Sequence, residues 1–211
     1  MSSDQPHHQM QIRDTTNPLV IVVSGPSGVG KDAILNRMKE RKYPFLFVTT
    51  VTTRCKRKNE NNGEDYHFIS FAKFQELLKN NGLLESANVY GNWYGVPKEP
   101  VKEALAKGKT TIIKVDVQGA ANIKKIIPNA VYIFIKPPSL EELGTRLKQR
   151  CTETDSDLSL RLKMAETEMQ QIDNFDYAVL NPSNNIERAI QDILCIVTAE
   201  KCRVNTKRII L

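Results

Sequence analysis

The stretch SGPSGVGKD, residues 24 to 32, is the most informative in this sequence of 211 residues. It follows the apolar run LVIVV (residues 19 to 23) and precedes apolar side chains at helical spacing, at Ile34, Leu35 and Met38. A strand, a G-x-x-x-x-G-K loop and a helix together predict a phosphate-binding unit, because main-chain N–H groups can curl around an oxyanion at a helix N-terminus. The predicted phosphate-binding residues are Gly25, Pro26, Ser27, Gly28, Val29, Gly30 and Lys31.

Asp32 departs from this pattern, in which Ser or Thr follows the lysine and its hydroxyl ligates Mg²⁺. A carboxylate is also a hard oxygen ligand, so Asp32 could hold Mg²⁺ directly or through water. Alternatively, an acid in the first helical turn gains ~0.3–1 kcal/mol from the helix dipole without any metal. Since Asp32 places a negative charge beside a polyphosphate, and we expect only a metal to offset that charge, the metal role is favoured.

Further apolar runs predict strands at residues 111 to 115, 131 to 135 and 177 to 180. Helical stripes lie between and after them, and we interpret these as core faces. Their members are Leu140, Leu143 and Leu147; Leu158, Leu162, Ala165, Met169 and Ile172; and Ile186, Ile190, Ile193, Leu194 and Val197. Strands that alternate with helices predict an α/β fold of three layers around a parallel central sheet.

Residues 48 to 93 interrupt this alternation with short strand-like pieces, polar turns and one short helix (residues 71 to 81). We therefore expect a flexible leader (1–17), a domain over 18–205 and a solvated tail (206–211). The domain has a core (18–47 and 108–205) and an inserted mixed α+β lobe (about 48–107). The polar segment at about 146–157 is equally compatible with a helical lid that folds over the bound nucleotide and with an exposed connection between two helices.

Composition excludes several classes of protein. No apolar run approaches the ~20 residues that cross a bilayer, and the N-terminus lacks a secretory signal, so no membrane partner is expected. Four cysteines without a C-x-x-C pair indicate neither a disulfide framework nor a zinc site, which suits a reducing cytoplasm. The net charge of +6 by itself names no partner, and aromatic residues at 7% are too few for a nucleic-acid binder.

The inserted lobe carries a second group of phosphate-binding side chains. Arg54 and Arg57 are three residues apart in TTRCKR, and Tyr66 and Tyr94 follow. Arginine supplies bidentate, charge-assisted hydrogen bonds, so two arginines and two hydroxyls can converge on one phosphate monoester. Taken singly, the arginines are better explained as part of a basic turn, and each tyrosine as a half-buried strand residue. Only the combination favours a phosphate site.

Residues 18 to 201 resemble the guanylate kinase family of P-loop nucleoside monophosphate kinases. The motifs SGPSGVGKD, TTVTTR, NNGEDYHFI, LLESANVYGNWYGVP, KVDVQGAANIKK and RLKQRCTET occur in the family's order and spacing. The resemblance implies a P-loop fold and Mg²⁺-dependent transfer of the γ-phosphate of ATP to GMP, with dGMP as a second candidate acceptor. It leaves a monomer and a homodimer open.

The resemblance also implies roles for particular residues. On the acceptor side, Arg54, Arg57, Tyr66 and Tyr94 would hold the GMP phosphate, Glu85 and Thr50 would read guanine, and Asp116 would lie near the ribose and, through water, the metal. On the donor side, Asn181 would lie beside adenine, and Arg146, Arg150 and Arg161 would be lid and catalytic arginines together with Lys31.

Two departures from the family pattern bear on chemistry. Val96 stands where many members have Ser or Thr, which removes one hydroxyl near the base. Lys114 stands where a first aspartate often precedes Asp116. Relative to the family pattern, this chain therefore has one additional acid at the loop and one acid fewer at the end of the strand. We hypothesise that Asp32 supplies part of the metal-shell charge that Lys114 removes.

Two alternatives remain at this stage. A guanylate-kinase-like binding module would not need Lys31 or the full set of arginines, and both are present here. A related P-loop kinase for another phosphate acceptor is disfavoured by Glu85 and the Tyr94-Gly95 segment, although Val96 keeps it open.

Overall fold

The computed structural model describes residues 17–58, 60–89, 91–150, 155–204, 209 and 211, with only the backbone described for residues 149, 150 and 155 to 158. The predicted leader, apart from Asn17, lies outside the described residues. So do the middle of the predicted lid and most of the tail.

The main sheet has five strands, all parallel, in the order β2-β7-β1-β8-β9. Its strands are β1 (Val20–Ser24), β2 (Leu46–Phe47), β7 (Thr111–Lys114), β8 (Val131–Lys136) and β9 (Tyr177–Leu180). All five residues of β1 are buried. A continuous apolar run is required here because β1 is the central strand and both of its faces are covered.

Six helices belong to this core: α1 (Lys31–Glu40), α3 (Lys98–Ala106), α4 (Val117–Ile126), α5 (Leu140–Arg150), α6 (Asp155–Met169) and α7 (Ile186–Lys201). On one face of the sheet, Ile21 and Val23 pack with apolar side chains of α1, α5, α6 and α7. On the other face, Val20 and Val22 pack with side chains of α3 and α4. Successive strand residues point to opposite faces, so the three-layer α/β fold expected from the sequence is confirmed.

A second sheet carries the inserted lobe, in the order β4-β3-β6-β5. It contains β3 (Val51–Thr52), β4 (His67–Phe68), β5 (Leu83–Val89) and β6 (Asn92–Pro97), with α2 (Phe71–Lys79) packed on it. The β3–β4 pair is parallel and the other two pairs are antiparallel. Phe74 of α2 is fully buried against Trp93 and forms a small core of its own with Val51 and Leu83.

Some packing differs from the sequence expectation. Leu140 was expected in the core but is 43% exposed, and in the described part of the α6 stripe only Ala165 is fully buried. The reason is that α6 packs on α5, where Leu162 lies over Gly144, and has little contact with the sheet. At the C-terminal end, Ile209 and Leu211 are half-buried against the side chains that pack on the α3/α4 face of the main sheet. The expectation of a solvated tail is therefore wrong for these two residues. No helix in the described residues combines the length and apolar character needed to cross a membrane.

We expect Ile133→Ala to lower the free energy of unfolding by ~2–5 kcal/mol, because Ile133 is fully buried in β8 and its truncation leaves a cavity. Ile126→Ala is the matched control, since Ile126 is 51% exposed on α4 and should change stability by about 0.5 kcal/mol or less. Urea unfolding measures both. Equal losses in the two variants would contradict this assignment of the core.

Candidate active site

One cavity of about 580 Å³ lies between the phosphate loop and the inserted lobe. This volume is typical of a small-molecule site. The predicted site residues that line it are Gly25, Ser27, Gly28, Lys31, Asp32, Thr50, Arg54, Arg57, Tyr66, Glu85, Tyr94, Asp116 and Arg161. Both groups of phosphate-binding side chains therefore face the same space.

The phosphate loop is held closely against the sheet. Gly25 has a φ of +137°, and a Cβ there would lie 2.2 Å from the carbonyl oxygen of Ile135, so a side chain is excluded. The Lys31 Nζ donates hydrogen bonds to the carbonyl oxygens of Gly25 (2.6 Å) and Pro26 (3.1 Å). Burial is the main reason that the pKa of Lys31 lies below its usual value. The ammonium is thus presented at the loop by main-chain acceptors.

Arg146 and Asn181 support the loop from behind. Arg146 donates to the carbonyl oxygens of Val29 and Asn181, both at 3.1 Å, and forms an ion pair with Glu142 at 3.1 Å. The buried Asn181 side chain donates from Nδ2 to the Val29 carbonyl oxygen at 2.8 Å. These contacts order the loop, whereas the predicted roles of both residues toward ATP stay predictions. The side chain of Arg150 lies outside the described residues.

In the inserted lobe, Arg54 is the centre of the second cationic group. Its Nε donates to the Tyr94 hydroxyl at 3.2 Å, and its guanidinium lies 5.5 Å from the centroid of the Tyr66 ring. The rings of Tyr66 and Tyr94 are themselves 5.9 Å apart. Two phenol groups and a guanidinium therefore lie together, and their role toward a phosphate stays a prediction.

Glu60 holds this group in place and was not identified from the sequence. It forms an ion pair with Arg54 at 2.7 Å and accepts a hydrogen bond from the Arg57 main-chain N–H at 2.8 Å. The Arg57 guanidinium is only 3.9 Å from Glu60 and its side chain is 60% exposed. Arg57 is therefore the more exposed and less tightly held of the two arginines, whereas Arg54 is fixed by two contacts.

Glu85 is a buried carboxylate that faces the cavity from β5. It is 7% exposed, and its Oε2 atom is fully buried and accepts no hydrogen bond from the described part of the chain. Burial and the nearby Asp116 carboxylate raise the pKa of Glu85 to about 7, while a hydrogen bond from Asn122 acts in the opposite direction. Such an unpartnered acceptor in a cavity fits a ligand that brings N–H donors.

Asp116 is positioned by its own helix. As the N-cap residue of α4, its side chain accepts a hydrogen bond from the main-chain N–H of Gly119 at 2.8 Å. A side chain at Gly119 would contact both acids, since a Cβ there lies 3.1 Å from Asp116 Oδ1 and 3.1 Å from Glu85 Oε1. Glycine therefore leaves room for two carboxylates side by side.

Asp32 is paired with Lys114 across the cavity wall, through a hydrogen bond from the Lys114 Nζ to Asp32 Oδ1. The expectation that only a metal could offset the charge of Asp32 is therefore wrong, because a lysine of this chain already does so. In the described residues, no three His, Cys, Asp or Glu side chains cluster as a protein-made metal site requires. The oxygens of Asp32 and Asp116 fit Mg²⁺ by chemistry, which commonly uses one or two carboxylates together with substrate phosphates.

Glu168 of α6 also contacts the loop and was missed by sequence reasoning. Its Oε2 accepts a hydrogen bond from the main-chain N–H of Ser27 at 2.9 Å, and burial raises its pKa. The two residues are separated by 141 positions. The available signal was an acid inside the predicted core stripe, between Ala165 and Met169.

This arrangement defines a class of protein: a P-loop kinase, in which a phosphate loop on a parallel sheet faces a second cationic cluster across one cavity. The family model described as guanylate kinase matches residues 17–200. A guanylate kinase from Clostridium tetani is 43% identical over 187 residues, covering 89% of this chain and 88% of that protein.

A second relative, guanylate kinase 2, chloroplastic/mitochondrial, of Oryza sativa subsp. japonica, is 40% identical over 193 residues, which are 91% of this chain and 68% of that one. The crystal structure of guanylate kinase from Anaplasma phagocytophilum superposes with a TM-score of 0.74 at 31% identity, covering 90% of this chain and 89% of that one. The chain belongs to the guanylate kinase family, and the family expected from the sequence motifs is confirmed.

Glu85→Gln tests the burial of the carboxylate. A folded-state pKa of about 7, above the ordinary 4.5, means that the folded protein binds the proton more tightly, so stability falls as pH rises between those values. We expect E85Q to be more stable than the wild type at pH 8, by about 3 kcal/mol, and to show no such gain at pH 4. Urea unfolding at both pH values measures this.

Glu103→Gln is the control for that series, because Glu103 is 58% exposed and should show no comparable pH-dependent gain. A Glu85→Gln variant that is less stable than the wild type at pH 8 would contradict the burial cost assigned to this carboxylate.

Proposed function

We propose that this chain binds ATP at the phosphate loop and GMP in the inserted lobe, and transfers the γ-phosphate between them to give ADP and GDP. The supporting observation is the single cavity lined both by Lys31 and by Arg54, Arg57, Tyr66 and Tyr94. Family membership supports the reaction, and the cavity supports the assignment of each substrate to one side.

The chemistry requires little beyond positioning and charge neutralisation. An oxygen of the GMP phosphate attacks the γ-phosphorus of ATP, the bond from that phosphorus to the β–γ bridging oxygen breaks, and ADP leaves. The attacking phosphate is already an anion, so no general base is needed. Lys31, Arg146 and Arg161 are the described cations proposed for the donor side, and Arg150 is proposed to join them.

On the acceptor side, Arg54 and the hydroxyls of Tyr66 and Tyr94 would orient the GMP phosphate, and Arg57 would close on it. The hydrogen bond from Arg54 to Tyr94 and the ion pair with Glu60 limit the positions that Arg54 can take. A guanidinium held in this way loses less entropy when it binds a phosphate. Pre-ordering thus favours one phosphate orientation, as in-line transfer demands.

Base choice would rest on Glu85. Guanine presents two N–H donors on one edge, which an ionised carboxylate can accept, whereas adenine would turn an acceptor nitrogen toward it. A mispaired buried group can reject the wrong substrate by ~10⁴-fold. Thr50 is buried and lines the same cavity, so its hydroxyl is available to the base. Val96 is fully buried among the side chains on the α3/α4 face of the main sheet, where it contributes packing.

Mg²⁺ is the proposed cofactor, with Asp116 as the carboxylate best placed to hold it, through water, and Asp32 as a further candidate. Bound Mg²⁺ would supply positive charge against the negative charge of the nucleotide phosphates. The protein's own part is to keep Asp116 fixed at the α4 N-cap, beside the loop lysine.

The remaining proposals concern the state of the enzyme. We propose closure of the lid and of the inserted lobe when both nucleotides bind, since closure would exclude water as a competing acceptor. A cytoplasmic location is consistent with Cys55, Cys195 and Cys202 being free, exposed thiols. A monomer and a homodimer both stay open, and GMP and dGMP both stay candidate acceptors.

A coupled assay that offers GMP, AMP, CMP and UMP with ATP and Mg²⁺ tests the proposed activity. We expect turnover with GMP, and a loss of about 10²-fold or more in kcat for Lys31→Met, because a donor-phosphate cation is removed. Lys73→Met, which changes an exposed lysine of α2, is the control. Turnover with another monophosphate while GMP stays inert would contradict the proposed substrate.

A further inference from the structure

The proposed function gives no role to the ion pair between Lys114 and Asp32. The Lys114 side chain is 15% exposed and that of Asp32 is 44% exposed. Lys114 is the last residue of β7, and Asp32 is the second residue of α1. The pair therefore joins the end of a central strand to the first turn of the helix that follows the phosphate loop.

The same ammonium also contacts the acceptor lobe. The Lys114 Nζ lies 4.2 Å from the centroid of the Tyr66 ring, at a distance where the ring quadrupole attracts a cation. Tyr66 in turn belongs to the cluster around Arg54. Lys114 thus contacts both Asp32, just after the phosphate loop, and Tyr66, in the inserted lobe.

The charge of Asp32 matters because of where it lies. Without a partner, this carboxylate would stand beside two anionic substrates, in a cavity where charges are less screened than in bulk water. Lys114 cancels that charge from within the chain. Removing either partner should therefore change the affinity of the cavity for phosphates, and the two changes should have opposite signs.

We infer that Lys114 is a positioning residue that neutralises Asp32 and thereby sets the affinity of the cavity for phosphate-bearing substrates, independently of any metal. This inference deepens the proposed ATP:GMP function and rests on it. It also assigns Asp32 a role that needs no metal ion, which is to hold Lys114 against Tyr66.

Binding in the presence of EDTA separates this role from a purely metal-binding one. Three probes are titrated by calorimetry. GMP and guanosine, which lacks the phosphate, test the acceptor side, and ADP tests the phosphate loop. The variants are Asp32→Asn, Lys114→Met, the double variant, and Lys114→Arg. Glu103→Gln and Lys107→Met form the matched control, since these residues make an exposed ion pair on α3 and its C-terminal cap.

We expect K114M to raise the Kd of GMP about tenfold, because Asp32 loses its ion-pair partner beside the phosphate and the cavity loses one positive charge. D32N should lower the Kd, and the double variant should return close to the wild type. ADP should follow the same order, and guanosine should not respond. K114R keeps the charge and should restore most of the affinity. At about 1 M salt, where the screening length is ~3 Å, the differences should shrink.

The inference is overturned if, in EDTA, D32N and K114M leave the Kd of GMP and ADP unchanged, if both shift it in the same direction, or if guanosine responds as GMP does. Thermal unfolding identifies a variant that does not fold. Should K114M be such a variant, D32N and K114R decide by the same signs. A wild type that does not bind GMP contradicts the proposed function, and the ADP series then still decides the role of Lys114.

Discussion

Electrostatic repulsion between two phosphate-bearing substrates is the constraint around which this cavity is built. ATP and GMP must bring like charges to within bonding distance, and the cost of doing so is large where water is excluded. The proposed site would offset this cost with cations on both sides of the cavity. Each cation is held in place by hydrogen-bond acceptors of the chain itself. Lys31 is bound by loop carbonyls, and Arg54 by Glu60 and Tyr94. Their positions are set before a ligand arrives.

The acids of the site fall into two groups that serve different ends. Glu60, Glu168 and Asp32 are each satisfied by a group of the chain: an arginine, a loop N–H and a lysine respectively. Glu85 instead keeps a buried oxygen without a donor in the described residues. A carboxylate left in this state destabilises the ligand-free fold at neutral pH. The burial cost falls on the residue that we propose to discriminate between bases, a role that requires an ionised acceptor.

How much of this was predictable depends on how local each signal is. The loop after β1 is legible because strand, glycines and lysine are contiguous, and the Arg54 and Arg57 cluster lies within one short segment. The hairpin of β5 and β6 was not predicted, since its polar residues hide the alternation of strands. The contacts of Glu168 with Ser27, and of Lys114 with Asp32, join residues 141 and 82 positions apart. Contacts between residues so far apart along the chain follow from the order of the strands in the sheet, which sequence patterns alone do not give.

The pairing of Lys114 with Asp32 shows why a departure from a motif is best interpreted together with its spatial neighbours. Taken alone, an acid after the loop lysine suggests a metal ligand, and a lysine at the end of β7 suggests a lost one. The parallel pairing of β7 with β1 brings the two positions to the same edge of the sheet, next to the first turn of α1. The opposite charges of Lys114 and Asp32 therefore pair with each other, a contact that neither residue indicates when it is considered alone. We therefore expect a substitution at one position to act on substrate binding through the ion-pair partner that the other position loses.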